Sequence, residues 1–129
     1  MSRFRFLDEF LRTSKFRDGN YLTGEFVEGL DGNDSITLTS GSGAYTSWAL
    51  GGYGADTITG TAGGDSIEGG FGNDVISGGD GDDELYGNQG DDTLYGQNGT
   101  SDVCNGGPNS DYCPVVGGGC ETHPQCESW

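Results

Sequence analysis

Five aspartates, Asp56, Asp65, Asp74, Asp83 and Asp92, stand nine residues apart, and each is followed two positions later by an aliphatic side chain, Ile58, Ile67, Ile76, Leu85 and Leu94. Carboxylates on so strict a period can share protons as acid and base, or they can ligate a cation. The doublets Asp82-Asp83 and Asp91-Asp92 have the composition of an acid–base couple, yet they recur in step with the period. Recurrence favours ligation. His123 is the only histidine and lies beside Pro124 with no nucleophile motif around it, so the chain reads as no enzyme.

The same period dictates the elements that must position these groups. Nine residues divide into a six-residue, glycine-rich turn and a three-residue strand such as Thr57-Ile58-Thr59, whose middle side chain points inward. A unit this small cannot bury its apolar residue alone, so the units must stack. Two repeats complete one coil, which sets each repeat about 4.8 Å from the one two places on. The aspartates then stack too, with Asp56, Asp74 and Asp92 along one edge and Asp65, Asp83 and Asp102 along the other. Two carboxylates at that spacing repel by about 3.5 kcal/mol at an effective dielectric near ~20. Without cations the coil should not close.

Composition points the same way. Only 31% of residues are hydrophobic, and 27 of the 129 are Gly, about three times the usual share. All five basic residues precede position 18, whereas the chain from Gly19 onward carries 18 acidic side chains and no Lys or Arg. Low hydrophobicity with like charge leaves a chain disordered unless positive charge is supplied. Such a surface repels nucleic acid and anionic membrane, and no apolar run approaches a membrane span. The cation is therefore the expected partner. Carboxylates plus carbonyls exposed by glycine-rich turns suit calcium, whereas zinc or copper would demand His or Cys and magnesium a strict octahedron. Asp80-Gly81-Asp82-Asp83-Glu84 lacks the spacing, central Gly and flanking helices of an EF-hand.

The array has flanks on both sides. In residues 1–18, Phe4, Leu7 and Leu11, with Phe6 and Phe10 beside them, predict a short amphipathic helix over residues 3–16. It would cap the open stack, or act as a basic arm for a membrane or partner. Residues 19–50 read as degenerate first coils. Gly29 to Thr37 is a good copy, with Asn33 and Asp34 in the turn and Ile36 inward. Leu38 to Leu50 contains no acidic residue, which predicts a coil without an ion site, a small loop, and Tyr45 and Trp48 filling the interior. The main array occupies residues 51–113. One inserted residue after Tyr95 brings Asp102 and Asp111 into the acidic column and Cys104 and Cys113 into the aliphatic one. Of the three pairings open to four cysteines, Cys104 with Cys113 is the expectation, leaving Cys120 with Cys126 to close the 114–129 tail. An even cysteine set in a small acidic chain favours disulfides and an oxidising compartment over a zinc cluster. No secretory signal is evident, since Asp8 and Glu9 interrupt the first apolar run.

The five copies from Gly51 to Tyr95, best in Gly69 to Ser77, resemble the G-G-x-G-x-D-x-U-x nonapeptide of RTX (repeats-in-toxin) proteins, a haemolysin-type calcium-binding repeat. The resemblance implies an all-β, parallel β-roll (a β-solenoid), here with the N-terminal helix as cap and a disulfide-bearing tail. It implies about three to five Ca2+ ions, each held between turns two repeats apart. Carried over, the ligands are the carboxylates of Asp56, Asp65, Asp74, Asp83, Asp92, Asp102 and Asp111. The earlier copy would add Asn33 and Asp34, and turn carbonyls would come from Gly52, Gly54, Gly70, Gly72, Gly79 and Gly81. Thr61-Ala62, Asn88-Gln89 and Ser101 depart from the motif, so their sites are expected to be weak or absent. Proteins similar to this family are bacterial, exported unfolded by a C-terminal signal, and fold on meeting external calcium; the cysteine-bearing tail does not look like that signal. A secreted, extracellular structural or adhesive module is thus one expectation, and the stabilising or secretion module of a larger toxin, protease or epimerase is the other. The uncharged outward positions Thr57, Thr59, Val75, Ser77, Thr93 and Tyr95 suit plain β-propensity. A cell-surface or carbohydrate partner is the alternative use of that face.

Overall fold

Successive strands fall on opposite sheets, as a nine-residue half-coil requires. The computed structural model describes residues 13–15, 21–24, 26–39, 47–114, 119–120 and 125–126. Its strands are β1 (Thr13–Lys15), β2 (Tyr21–Gly24), β3 (Phe26–Asp31), β4 (Ser35–Leu38), β5 (Ser47–Tyr53) and β6 (Thr57–Thr59), followed by β7 (Asp65–Phe71), β8 (Val75–Asp80), β9 (Glu84–Gln89), β10 (Thr93–Asn98) and β11 (Val103–Asn105). The odd-numbered strands form one six-stranded sheet and the even-numbered strands a five-stranded one. Every pairing is parallel. This is an all-β parallel solenoid in which each strand pairs with the strand two places on.

Register follows the sequence period. Ile58 pairs with Ile76 and Ile76 with Leu94 in one sheet; Ala49 pairs with Ile67 and Ile67 with Leu85 in the other. These side chains, with Val27, Ile36, Cys104 and Cys113, form a fully buried column between the sheets. Each buried aliphatic side chain contributes about 1.5–3 kcal/mol. A single such residue per nine is thin support for so much ordered backbone. The residue inserted after Tyr95 is confirmed, since β11 pairs Cys104 with Leu85, nineteen positions apart. Several strands run longer than three residues because they continue through the first turn positions, as β7 does to Phe71.

Three expectations are corrected. Thr13–Lys15, inside the expected helix, is a strand paired with Phe26 to Glu28, and no helix occurs among the described residues. The rest of residues 3–16, and with it the cap, lies outside the described residues. Trp48 does not fill the interior: strand alternation turns it outward, between buried Ser47 and Ala49, and Ala49 takes the inward slot. Tyr45 lies outside the described residues. The four extra residues do appear as a register step of twenty-two between β3 and β5.

The third correction concerns the cysteines. Cys104 bonds Cys120 and Cys113 bonds Cys126. Cys104 and Cys113 both point inward as expected, but they belong to opposite sheets, where Cys104 stacks on Leu85 and Tyr112 bridges to Thr93. Each instead reaches a tail cysteine folded across the end of the stack. Tail positions are fixed by Cys120 N–H donating to the Pro114 carbonyl at 3.1 Å and Gly106 N–H to Cys126 Sγ at 3.2 Å. The sequence separations are 16 and 13 residues, for which loop closure predicts about 3 kcal/mol each. Peptide mapping of the oxidised chain should return these two pairs, and Cys104→Ser with Cys120→Ser should lower stability by about that amount in denaturant melts.

Candidate metal centre

Each aspartate of the period lies where its strand begins and the turn ends, and its side chain folds back into the stack rather than outward. Asp34, Asp56, Asp65, Asp74, Asp83, Asp92, Asp102 and Asp111 are all buried. Along one edge Asp34 N–H donates to Asp56 Oδ1 at 2.7 Å, Asp56 N–H to Asp74 Oδ1 at 2.8 Å, and Asp74 N–H to Asp92 Oδ1 at 2.8 Å. Asp92 N–H donates likewise to Asp111 Oδ1 at 2.8 Å. Along the other edge Asp65 N–H donates to Asp83 Oδ1 at 2.8 Å and Asp83 N–H to Asp102 Oδ1 at 2.9 Å. These are the two ladders that the period predicts. The inserted residue, Ser101, does not break the second one. At the head of that ladder Ser47 takes the acidic slot, with its N–H 3.3 Å from Asp65 Oδ1.

In Asp56, Asp74, Asp83 and Asp92 one oxygen is thus committed to an amide, and the other is not. Oδ2 of Asp56, Asp74, Asp83 and Asp92 is buried with no hydrogen-bond partner among the described residues. A buried anionic oxygen left unsatisfied costs several kcal/mol, so three along one edge and one on the other call for a positive ligand. The surroundings are shaped for one. A Cβ placed on Gly51 would lie closer than 3.0 Å to both Asp56 Oδ2 and the Gly69 carbonyl oxygen, and one on Gly87 would meet Asp92 Oδ2 and the Gly106 carbonyl oxygen. The bare first-position glycine therefore leaves a cradle shared by a carboxylate and a carbonyl from the next turn.

A second set of carbonyls stacks beside it. The Gly52 carbonyl faces Gly70, the Gly54 carbonyl faces Gly72, and the Thr61 carbonyl faces Gly79. Gly70 and Gly72 have φ of 116° and 119°, which directs their peptides out of the ladder pattern. Gly81 packs on Gly63 in the same way. Among the described residues no three Asp, Glu, His or Cys side chains converge. A cation here depends on carbonyls as much as on carboxylates, a donor set of hard oxygens only.

Two placements were not foreseen. Asn33 stands off the carboxylate ladder, its Oδ1 accepting Ala55 N–H at 2.8 Å. It belongs to a second, exposed ladder at the fifth repeat position. There Asn73 Oδ1 accepts Asp91 N–H at 3.0 Å, Asp82 Oδ1 accepts Thr100 N–H at 2.9 Å, and Asp91 Oδ1 accepts Ser110 N–H at 3.1 Å. The Thr100 amide and hydroxyl hold the Asp82 carboxyl below the usual carboxylate range. The run of Asn and Asp at that position was the available signal. Thr61 is the other surprise: its hydroxyl lies 3.0 and 3.1 Å from the two Asp65 oxygens and its N–H also donates to Oδ2. At that departure from the motif a threonine occupies the carboxylate oxygen that stays open in Asp56, Asp74, Asp83 and Asp92.

A family profile described as the RTX calcium-binding nonapeptide repeat, four copies long, matches residues 50–85, 68–103 and 77–113. The chain belongs to the RTX nonapeptide-repeat family. The matched span contains the orphaned Oδ2 atoms and their cradles, so the RTX repeat and the geometry point to the same turns and to calcium. Neither a curated protein nor a solved structure matches the chain.

Burial is the main cause that pushes the Asp74 and Asp83 carboxyls up to about 7 and those of Asp56 and Asp92 up to about 6, opposed by the amide bond each accepts and reinforced by neighbouring carboxylates. Because the folded values lie above the ordinary value of 3.8, their contribution to metal-free stability is complete below about 4 and is lost as pH rises through 6 to 7. In chelator, the RTX roll should show strand circular dichroism at pH 5 and lose it by pH 8. The opposite order would show that these carboxylates are not buried together.

Proposed function

We propose that this chain is a secreted, extracellular module whose folding is driven by calcium and whose role is structural or adhesive. The observation that carries the reading is the set of orphaned Oδ2 atoms of Asp56, Asp74, Asp83 and Asp92, each set against a bare glycine. Three to five ions fit the ladders. The pairs are Asp56/Asp74, Asp74/Asp92 and Asp65/Asp83, then Asp83/Asp102 and Asp92/Asp111, and Asp34 of the earlier copy extends the first ladder beyond Asp56. Carbonyls of Gly52, Gly54, Gly70, Gly72, Gly79 and Gly81 complete the donors, and Asn33 supports its turn. The Asp65/Asp83 pair is the weakest, because Thr61 competes for Asp65.

The mechanism is linkage: an ion that binds the coil and not the open chain stabilises the coil by mass action. Extracellular calcium modules have dissociation constants of roughly 10⁻⁴ to 10⁻³ M. At such affinity the chain stays open at cytosolic calcium and closes outside the cell. The paired cysteines support the same compartment. Circular dichroism of the oxidised chain during calcium titration, with magnesium as control, tests the reading. Strand signal should appear cooperatively at submillimolar to millimolar calcium and vanish with chelator at pH 8. An unchanged spectrum, or equal response to magnesium, would overturn it.

A further inference from the structure

A groove of about 560 Å³ runs along the outer surface of the odd-numbered sheet. It arises from three adjacent columns of the register. The second repeat position supplies the floor, bare at Gly52 and Gly70 and continued by Asn88. The third position supplies one wall, Tyr53 and Phe71, in register with Gln89. The ninth position supplies the other, Glu68, Tyr86 and Asn105. In the even-numbered sheet the third-position column is Asp80 and Asn98. The aromatic wall therefore belongs to one face.

The lining has a definite chemistry. The Tyr53 and Phe71 rings stack at 4.8 Å with an interplanar angle of 9°, yet they remain 59% and 52% exposed. Paired rings left so open on a polar surface mark contact surface. Facing them are a phenol and amides, and Asn105 Oδ1 is buried without a hydrogen-bond partner among the described residues. Glu68 is the only charged residue among the described residues of the lining, and no Lys or Arg follows Arg17, so a phosphate, sulfate or carboxylate ligand finds no counter-charge among them. Sugar rings carry an apolar C–H face and a rim of hydroxyls, which match aromatic surface beside groups that both donate and accept. Strands β5 to β11 give the groove a span of about 14 Å at sheet spacing, enough for several linked rings.

We propose that this groove binds a neutral oligosaccharide. The inference rests on the calcium reading only in that the roll must be folded to present the groove. Isothermal titration calorimetry on the full, oxidised chain in saturating calcium would use hexasaccharides of β-1,4-linked glucose, β-1,4-linked N-acetylglucosamine and α-1,4-linked glucose. A polygalacturonate oligomer and a lysine-rich peptide serve as charged probes. At least one neutral hexasaccharide should bind. Phe71→Ala and Tyr86→Ala should each weaken it tenfold or more while the strand spectrum and calcium midpoint stay as in the parent, and Thr93→Ala on the other sheet should leave affinity within twofold. Binding confined to the charged probes, no binding by any neutral hexasaccharide, or wild-type affinity in both aromatic variants would each overturn the proposal. A spectrum that ignores calcium counts against the calcium reading alone, because saccharide binding is measured on the same folded chain.

Discussion

Asp74→Ala should raise the calcium concentration at the folding midpoint at least tenfold. Asp74 occupies the middle of a ladder: its Oδ1 accepts the Asp56 amide, its own amide donates to Asp92 Oδ1, and its Oδ2 is buried without a partner. Removing the carboxylate strips a donor from two adjacent sites and leaves a buried amide without its acceptor, a loss of about 1–3 kcal/mol. With calcium tenfold above the dissociation constant, each site contributes about 1.4 kcal/mol. Two sites and one amide together are a large part of the roughly 5–15 kcal/mol that holds a domain folded. Glu84→Ala, at an exposed strand position of the same sheet as Asp65, is the control and should leave the midpoint within twofold. An equal shift from both replacements would sink the ligand assignment.

Gly72→Ala should be nearly as damaging even in saturating calcium. At a φ of 119° the backbone is closed to an L side chain, at a cost of about 1–3 kcal/mol. The added methyl would also fall closer than 3.0 Å to the Gly54 carbonyl oxygen, which must move although it is a donor in the proposed site. Gly63→Ala makes the contrast. No positive φ is recorded there, and its nearest neighbour would be Thr61 Oγ1 at 3.8 Å, ordinary contact distance. Denaturant melts in excess calcium should place Gly63→Ala within about 1 kcal/mol of the parent, the scale of a Gly-to-Ala exchange at a compatible site, and Gly72→Ala well below both. Similar stability for the two variants would mean that the turns are not built as described.

The roll was legible wherever the chain repeats, because a period fixes both which side chain faces inward and which turn lies above which. Asp56, Asp74 and Asp92 fell on one edge and Asp65, Asp83 and Asp102 on the other from arithmetic alone, and even the insertion after Tyr95 could be placed. Legibility ended where the period did. Trp48 looked like core because it is large and apolar, but alternation assigns the inward slot to the small Ala49. The cysteine partners could not be found by counting, since Cys120 and Cys126 lie in a tail whose path depends on tertiary contacts. Thr13–Lys15 shows the competing principle: apolar spacing near the start suits a helix, and strand pairing with Phe26 to Glu28 wins for these three residues. The fifth-position ladder was visible as composition, yet its hydrogen bonds needed the coil's curvature to be recognised.

The two-sheet alternation imposes a parity on the length of this chain. Duplicating eighteen residues within the array would lengthen the roll by about 4.8 Å and leave every downstream side chain on its original face. Duplicating nine would send everything after the join to the opposite face. Tyr53 and Phe71 would then be followed by the neighbours of Asp80, and Cys104 and Cys113 would exchange sheets together with the tail cysteines they bond. A change of a whole coil therefore keeps each face's columns continuous, whereas a change of half a coil interrupts the aromatic wall and its groove before any question of composition arises.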